Sequence, residues 1–217
     1  MRMRELHNRK QIAGWMLCLL VLAGCGAAKV PDVVEDASLI IDRDGGITSY
    51  IAGVFDRDYY DIDELKKMVQ EEVAAYNTAN QTGESALVML EGVQVPEGGG
   101  QSVLVSYSYD SAATYQDYTG NLLFYGTLEE AKKAGWQFEE LNQMLYDTGK
   151  KKSIVSRELS TADIAKKHVI LLAEGTRVYC PYKVAYISEN AQALEDGSIT
   201  TAGVLPEEYP VIIVLDK

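Results

Sequence analysis

The first 28 residues divide this chain into an N-terminal segment and a part that can form a globular core. A basic stretch from Arg2 to Lys10 precedes an uncharged run from Gln11 to Ala28, whose centre is the apolar sequence 15–22. A short apolar run behind positive charge is typical of a secretory signal peptide, which is removed and takes no part in the fold. Because the positive flank stays in the cytoplasm, we expect the rest of the chain to be exported.

The apolar run ends in Leu22-Ala23-Gly24-Cys25, which resembles the lipobox of bacterial lipoproteins. The resemblance implies that residues 1–24 are a signal peptide, that a diacylglycerol is attached to the thiol of Cys25, and that cleavage precedes Cys25. It further implies acyl chains such as palmitate and a location on the outer face of the cell membrane. Two or three acyl chains would hold the protein stably, whereas a single chain binds a bilayer only marginally. The resemblance covers only about the first 25 residues and implies no activity.

Two alternatives to the lipoprotein interpretation remain, an uncleaved membrane anchor and a secreted soluble form. The uncharged run from Ile12 to Ala28 has 17 residues, whereas a membrane-spanning helix usually needs about 20. Gly14, Gly24 and Gly26 also lower the helix propensity of this run. The sequence therefore favours the lipid anchor.

The charge of the chain limits its partners. The net charge is −12, from 20 basic and 32 acidic residues. Residues 1–24 hold four basic residues and one acid, so residues 25–217 carry 16 basic against 31 acidic residues, or −15. Phosphate backbones repel such a surface, which argues against nucleic-acid binding. The predicted partners are the membrane, through the lipid anchor, and an envelope protein or glycan.

Cysteine usage predicts a domain without disulfides. Cys18 lies in the signal peptide and Cys25 would carry lipid, which leaves only Cys180. An exported chain with one free thiol must be stabilised by a packed core, which is feasible for about 180 residues. We expect Cys180 to lie near a strand end as an inert small apolar residue, because no base accompanies it in the sequence.

Residue patterns after the signal peptide predict a tether and then an α+β domain. Residues 25–37 are small, polar and acidic, which is typical of a flexible tether. Two β-rich runs, 38–42 and 47–55, flank an Asp-Gly turn and predict a hairpin. Asp61 and Glu64 have the spacing of a capping box at the start of a helix, whose apolar face is expected to hold Leu65, Met68, Val69, Val73 and Tyr76.

The remaining elements are predicted from the same kinds of signal. A second hairpin joins 86–95 to 102–109, with Val103, Val105, Tyr107 and Tyr109 on one face. A short strand is expected at 122–125, helices at 127–135, 138–146 and 160–167, and β-rich segments at 168–174, 177–188 and 209–216. The sum is an α+β domain over 38–217 with mainly antiparallel sheets and three or four helices. Residues 149–153 are a candidate subdomain boundary.

The search for catalytic motifs predicts no catalytic, metal-binding or cofactor-binding residue. His168 is the only histidine after the signal peptide, so a site with several histidines cannot form. The sequence contains neither HExxH nor GxSxG. His168 could act as a general base or as a structural residue at a strand edge, and the sequence favours the structural role.

Clustered acids and tyrosines are the two remaining features. Asp56, Asp58, Asp61, Asp63 and Glu64 lie within nine positions, which is compatible with a Ca²⁺ site or with helix capping beside a solvated loop. Their spacing does not match a calcium-binding loop, and Asp42-Arg43-Asp44-Gly45 is equally incomplete. Five tyrosines between 107 and 125 suit either sheet packing or a sugar-binding surface (Tyr107, Tyr109, Tyr115, Tyr118 and Tyr125).

These observations lead to two functional hypotheses. The first is a non-catalytic cell-envelope lipoprotein, attached through Cys25, that binds a ligand or a partner on the outer face of the membrane. The second is a carboxylate-dependent envelope hydrolase, which would need two carboxylates facing each other across a cleft.

Overall fold

A computed structural model describes residues 28–57, 60–95, 102–149, 153–160, 164, 166–203 and 209–217. This part of the chain contains four α-helices: α1 (Ile62–Asn80), α2 (Ala112–Thr119), α3 (Leu128–Lys133) and α4 (Phe138–Leu141). A 3₁₀ helix covers Ser156–Ser160. The thirteen strands are β1 (Ser38–Ile41), β2 (Ile47–Val54), β3 (Val88–Gln94), β4 (Ser102–Tyr109), β5 (Leu123–Thr127), β6 (Met144–Asp147), β7 (Ser153–Val155), β8 (His168–Leu172), β9 (Arg177–Tyr179), β10 (Val184–Ser188), β11 (Ala191–Ala193), β12 (Ile199–Thr201) and β13 (Val211–Leu215).

The strands form two sheets, which we call sheet A and sheet B. Sheet A has the order β11-β12-β9-β1-β2-β4-β3, and sheet B has the order β5-β8-β13-β10-β6-β7. Every described pairing is antiparallel except that of β1 with β9. The predicted α+β class with mainly antiparallel sheets and three or four helices is therefore confirmed, with four α-helices in the described residues.

The central strands of sheet B, β8 and β13, are buried on both faces. Along β8, Ile170 and Leu172 pack with apolar residues of sheet A, whereas Val169 and Leu171 pack with α3, α4 and their neighbours. The five residues of β13 are all buried and alternate between these two cores in the same way. A strand that is buried on both faces has a continuous hydrophobic sequence, as Val211–Leu215 does.

The β1–β2 hairpin forms where the Asp-Gly turn predicts it. One carboxylate oxygen of Asp42 accepts hydrogen bonds from the N–H groups of Asp44 and Gly46, both at 2.9 Å. Gly45 has a φ of +96°, which residues with a side chain rarely adopt. The β3–β4 hairpin and the shared face of Val103, Val105, Tyr107 and Tyr109 are also confirmed, since all four are buried and pair in register.

Helix α1 begins at the predicted acid. The Asp61 side chain accepts hydrogen bonds from the N–H groups of Asp63 (2.7 Å) and Glu64 (3.1 Å). Val69 and Val73 are buried against sheet A, as expected. Met68 is 57% exposed, so its predicted place on the buried face is wrong.

Thr127 caps α3 as predicted, in a reciprocal capping box with Glu130. The predicted helix over 138–146 is wrong in its second half. Asn142 adopts a left-handed conformation, φ +47°, and ends α4 after one turn. Residues 144–147 then pair with β10 and β7, and these ladder hydrogen bonds override the local helical pattern.

Other predicted boundaries also shift. Regular structure near the predicted 160–167 helix is the 3₁₀ helix Ser156–Ser160, and 161–163 and 165 lie outside the described residues. Pro181 follows β9 and separates the expected segment 177–188 into β9 of sheet A and β10 of sheet B. Sequence patterns did not predict α2, β11 or β12. The candidate boundary at 149–153, partly outside the described residues, is flanked by β6 and β7, which pair in sheet B.

Residues 28–37, predicted to belong to a tether, contact the domain. The Lys29 N–H donates to the Asp196 carbonyl oxygen at 3.3 Å. Val34 is only 7% exposed, whereas its neighbour Val33 is 66% exposed. The segment thus covers part of sheet A next to Arg177 and Tyr179.

Candidate functional site

An open cleft of about 1040 Å³ lies between α2, β5 and two turns. Asp44 and Gly45 enter it from the β1–β2 turn, and Trp136 enters from the turn after α3. Its volume is at the upper end of the range usual for small-molecule sites. Except for Asp44 and Gly45, the lining residues lie between positions 110 and 136, so one stretch of chain forms most of the cleft and the distant β1–β2 turn completes it.

Three carboxylates line the cleft, those of Asp44, Asp110 and Asp117, and none of the described lining residues is basic. The Thr114 hydroxyl donates to Asp110 at 2.5 Å. The Tyr76 hydroxyl donates to Asp117 at 2.7 Å. A carboxylate has about four acceptor positions, so each retains capacity for a ligand after accepting one such bond. The lining is therefore negatively charged, and hydrogen bonds from Thr114 and Tyr76 orient the carboxylates of Asp110 and Asp117.

Aromatic rings supply part of the apolar lining of the cleft, together with Leu122 and Leu123. Phe124, Tyr125 and Trp136 are partly buried in its wall. The Tyr125 ring lies beside the β1–β2 turn, where a Cβ at Gly45 would be in ordinary van der Waals contact with it at 3.9 Å. Gly135, with a φ of +99°, turns the chain after α3 and presents Trp136.

Helix α2 and the two residues before it carry most of the polar lining (Asp110, Ser111, Gln116 and Asp117), and the helix ends explain why it forms. The Ser111 hydroxyl accepts a hydrogen bond from the Thr114 N–H at 3.1 Å, which caps the first turn. Gly120 ends the helix in a left-handed conformation with a φ of +74°. A Ser at the start and a Gly after eight residues are signals from which this helix could have been predicted.

Four of the five clustered tyrosines come together, but in the interior rather than in the cleft. Tyr107, Tyr109, Tyr115 and Tyr118 form ring contacts of 5.2–6.2 Å, and Tyr76 of α1 joins them at 5.0 Å from Tyr118. The first three are less than 10% exposed. Burial raises the pKa of Tyr109, Tyr115 and Tyr118. These tyrosines therefore pack the sheet, which is one of the two roles that the sequence predicts for them.

Tyr125 lies apart from that cluster and contacts His168. Their ring centroids are 5.5 Å apart, and Tyr182 lies 6.1 Å from His168 on another side. Burial lowers the pKa of His168, and the nearby Lys217 ammonium, 3.4 Å from Nε2, lowers it further. Among the described residues, none hydrogen bonds to His168 Nδ1 or to the Tyr125 hydroxyl.

Cys180 follows β9 and is buried, as predicted for a structural residue. Burial raises the pKa of its thiol to about 12. The thiolate, which is the nucleophilic form, is thereby disfavoured.

In its described residues, the acidic segment 56–64 caps helix α1 and does not form a Ca²⁺ site. Asp61 is engaged by α1, and Asp56 is 3.5 Å from Arg57. Within the described ranges, no three His, Cys, Asp or Glu side chains are grouped so that they could hold a metal ion. Asp58 lies outside the described residues.

The predicted lipid-attachment residue, Cys25, lies outside the described residues, as does the predicted signal peptide 1–24. Where the structure describes the chain, no helix combines the length and the hydrophobicity needed to cross a membrane.

Sequence analysis missed most residues of the cleft. It named Asp44 only as part of an incomplete calcium loop, and it did not single out Asp110, Asp117 or Trp136. Asp110 and Asp117 lie just before and within α2, a helix that was not predicted, whereas Asp44 joins them only through tertiary packing.

Comparisons with protein families, with characterised proteins and with solved structures find no match to this chain.

Proposed function

We propose that this protein is a lipid-anchored envelope protein that binds a ligand, without catalysing a reaction, in the cleft between α2 and β5. Attachment through Cys25 and a place on the outer face of the membrane rest on the lipobox. The binding role rests on one observation, a cleft of about 1040 Å³ lined by carboxylates and aromatic rings.

The lining favours a ligand that combines positive charge with a flat or apolar face. Asp44, Asp110 and Asp117 have no basic partner among the described lining residues, so a bound cation would neutralise part of their charge. Aromatic faces attract cations and also stack on sugar rings. Amino sugars of an envelope glycan meet both requirements.

A pair of oligosaccharides tests this ligand chemistry. Chitosan tetramer and its fully N-acetylated form share one sugar backbone, but only the first carries ammonium groups. We expect calorimetry on the full protein to detect the charged tetramer and to find at least tenfold weaker binding of the neutral one. Absence of binding by either tetramer would contradict the amino-sugar assignment.

Two cleft variants test whether the charged tetramer binds in the cleft. Asp44→Asn and Trp136→Ala should each weaken binding of the charged tetramer by several-fold. Glu84→Gln removes an exposed carboxylate before β3 and should bind as the wild type does. Equal losses in D44N and E84Q would indicate attraction by the acidic surface as a whole rather than by the cleft.

The alternative is a carboxylate-dependent hydrolase that uses the same cleft. The presence of Asp44 on the β1–β2 turn and of Asp110 and Asp117 on the α2 side of one cleft favours it, because glycosidases use two carboxylates from different sides of a cleft. Turnover of wall glycan by the purified protein, abolished in Asp44→Asn and in Asp110→Asn or Asp117→Asn, would establish it. Binding without turnover would support the non-catalytic role.

Mass spectrometry of the native product tests the anchor. The proposal requires a chain that begins at Cys25 and carries acyl groups there. An intact N-terminal methionine without acylation would contradict it.

A further inference from the structure

The segment that leads to the predicted anchor lies against the domain. We call residues 28–37 the N-terminal strap. Its Lys29 N–H donates to the Asp196 carbonyl oxygen, and Val34 is 7% exposed. A Cβ at Gly197 would lie 3.4 Å from the Ala28 Cα, so the start of the strap touches the β11–β12 turn.

The strap also follows the surface of sheet A between its two ends. Pro31, Val34, Glu35 and Asp36 line a cavity of about 200 Å³ together with Arg177 and Tyr179. Arg177 is the basic residue of this lining, which it shares with the strap carboxylates Glu35 and Asp36. Burial of Val34 and this charge complementarity both favour a strap that stays docked.

The β11–β12 turn is a firm attachment point. Asp196 accepts hydrogen bonds from the Ser198 N–H (2.9 Å) and hydroxyl (2.6 Å). The Leu194 N–H donates to the Ser198 carbonyl oxygen at 2.8 Å. These bonds fix the turn that the first strap residues contact.

We propose that the docked strap orients the domain on the membrane, with the β11–β12 turn facing the phospholipid headgroups. This inference rests on the proposed lipid anchor at Cys25. Ala28 is three residues from Cys25, and three residues span at most about 10–11 Å. The Gly197 turn, which touches Ala28, is therefore held close to the bilayer.

A free tether would behave differently. Thirteen flexible residues, 25–37, have a root-mean-square span of roughly 20 Å and would let any face of the domain approach the membrane. The opposite edge of sheet A, at β3, is six strand spacings from β11, or about 29 Å. A docked strap therefore predicts that the β11 edge lies nearer to the membrane than the β3 edge, whereas a free strap predicts no such difference. The acidic Glu195 and Asp196 offer no attraction to anionic lipid, so the covalent reach alone sets the orientation.

Fluorescence quenching on vesicles tests the orientation. A fluorophore is placed on Glu195→Cys at the β11–β12 turn or on Met89→Cys in β3, both exposed positions. The full chain is processed in cells, checked for acylated Cys25 and inserted into phosphatidylcholine vesicles that contain spin-labelled headgroups. We expect several-fold stronger quenching at position 195 than at position 89. A Cys25→Ser chain gives the background.

Adjacent valines provide the matched control. Val34→Asp should release the strap and make quenching at the two positions similar. Val33→Asp introduces the same charge at a position that is 66% exposed and should keep the difference. Lys29→Pro, which removes the N–H that bonds Asp196, should reduce the difference without burying a charge.

The outcomes separate the two proposals. Equal quenching at both positions in acylated wild-type protein would overturn the docked strap while the lipid anchor stands. A Cys25 that carries no acyl group would overturn both. A difference that survives in V34D and in K29P alike would show that the strap contacts do not orient the domain.

Discussion

The side chain of Asn77 hydrogen bonds to both backbone groups of Val88. Its Oδ1 accepts from the Val88 N–H at 3.0 Å, and its Nδ2 donates to the Val88 carbonyl oxygen at 2.7 Å. The same Oδ1 also accepts from the Leu87 N–H at 3.0 Å. One amide near the end of α1 thus satisfies the start of β3 and fixes the helix to the edge of sheet A.

Asn77→Ala should lower the free energy of unfolding by about 2 kcal/mol, because it leaves three partly buried backbone groups unsatisfied. Asn80→Ala is the control, since among the described residues its side chain donates to the Tyr76 carbonyl oxygen of the same helix and not to β3. Both changes raise helix propensity, so their difference isolates the contact with β3. Urea unfolding measures it, and equal midpoints for the two variants would contradict the assignment.

Loss of the hydroxyl group should change the free energy of unfolding differently at two tyrosines of the interior cluster. The Tyr115 hydroxyl donates to Glu174, so Tyr115→Phe should cost about 1–3 kcal/mol by leaving that carboxylate without its partner. Among the described residues, none hydrogen bonds to the buried Tyr118 hydroxyl. Tyr118→Phe should therefore be neutral or stabilising. Thermal unfolding of the two variants tests this, and a larger loss in Y118F would contradict it.

Cys180 should resist alkylation in the folded protein. A thiol pKa of about 12 leaves a thiolate fraction at pH 8 roughly a thousandfold below that of an ordinary cysteine. Iodoacetamide treatment followed by mass spectrometry of the Cys180 peptide should find it unmodified until the protein unfolds. Gln192→Cys, at an exposed position of β11, serves as the reactive control. Comparable rates at positions 180 and 192 would contradict the inert assignment.

His168 should make the folded state less stable at mildly acidic pH. Its pKa is lowered by burial and then by Lys217, while Glu130 opposes the shift. The unfolded chain takes up this proton near pH 6.5, before the folded chain does, so stability is full above that pH and falls below it. The loss continues until the pH passes the folded pKa.

His168→Gln should flatten the decline in melting temperature between pH 7.5 and pH 5.5. Melting curves of both proteins at several pH values test this prediction. Parallel profiles would show that other groups cause the decline.

Asp61 should act as a helix cap rather than as a calcium ligand. Asp61→Ala should cost about 1 kcal/mol, whereas Asp61→Asn, which can cap equally well, should cost little. Addition of millimolar Ca²⁺ should leave the melting temperature of the wild type unchanged. A calcium-dependent increase that disappears in D61N would instead support a calcium site in 56–64.

Local sequence determined the elements whose causes are themselves local. Asp42 and Gly45 specify the β1–β2 turn, Asp61 starts α1, and Thr127 with Glu130 starts α3. Each depends on hydrogen bonds or backbone angles within a few residues. The α+β class followed from the sum of such signals.

Tertiary structure decided the features that depend on distant partners. The local pattern of residues 144–147 favours a helix. They form a strand because they pair through backbone hydrogen bonds with β10 on one side and β7 on the other. Tertiary packing places Asp44 in the same cleft as Asp117 and Trp136, which lie more than seventy residues further along the chain. Sequence spacing carries no information about such contacts, since packing between the two sheets and burial of their apolar faces bring these residues together.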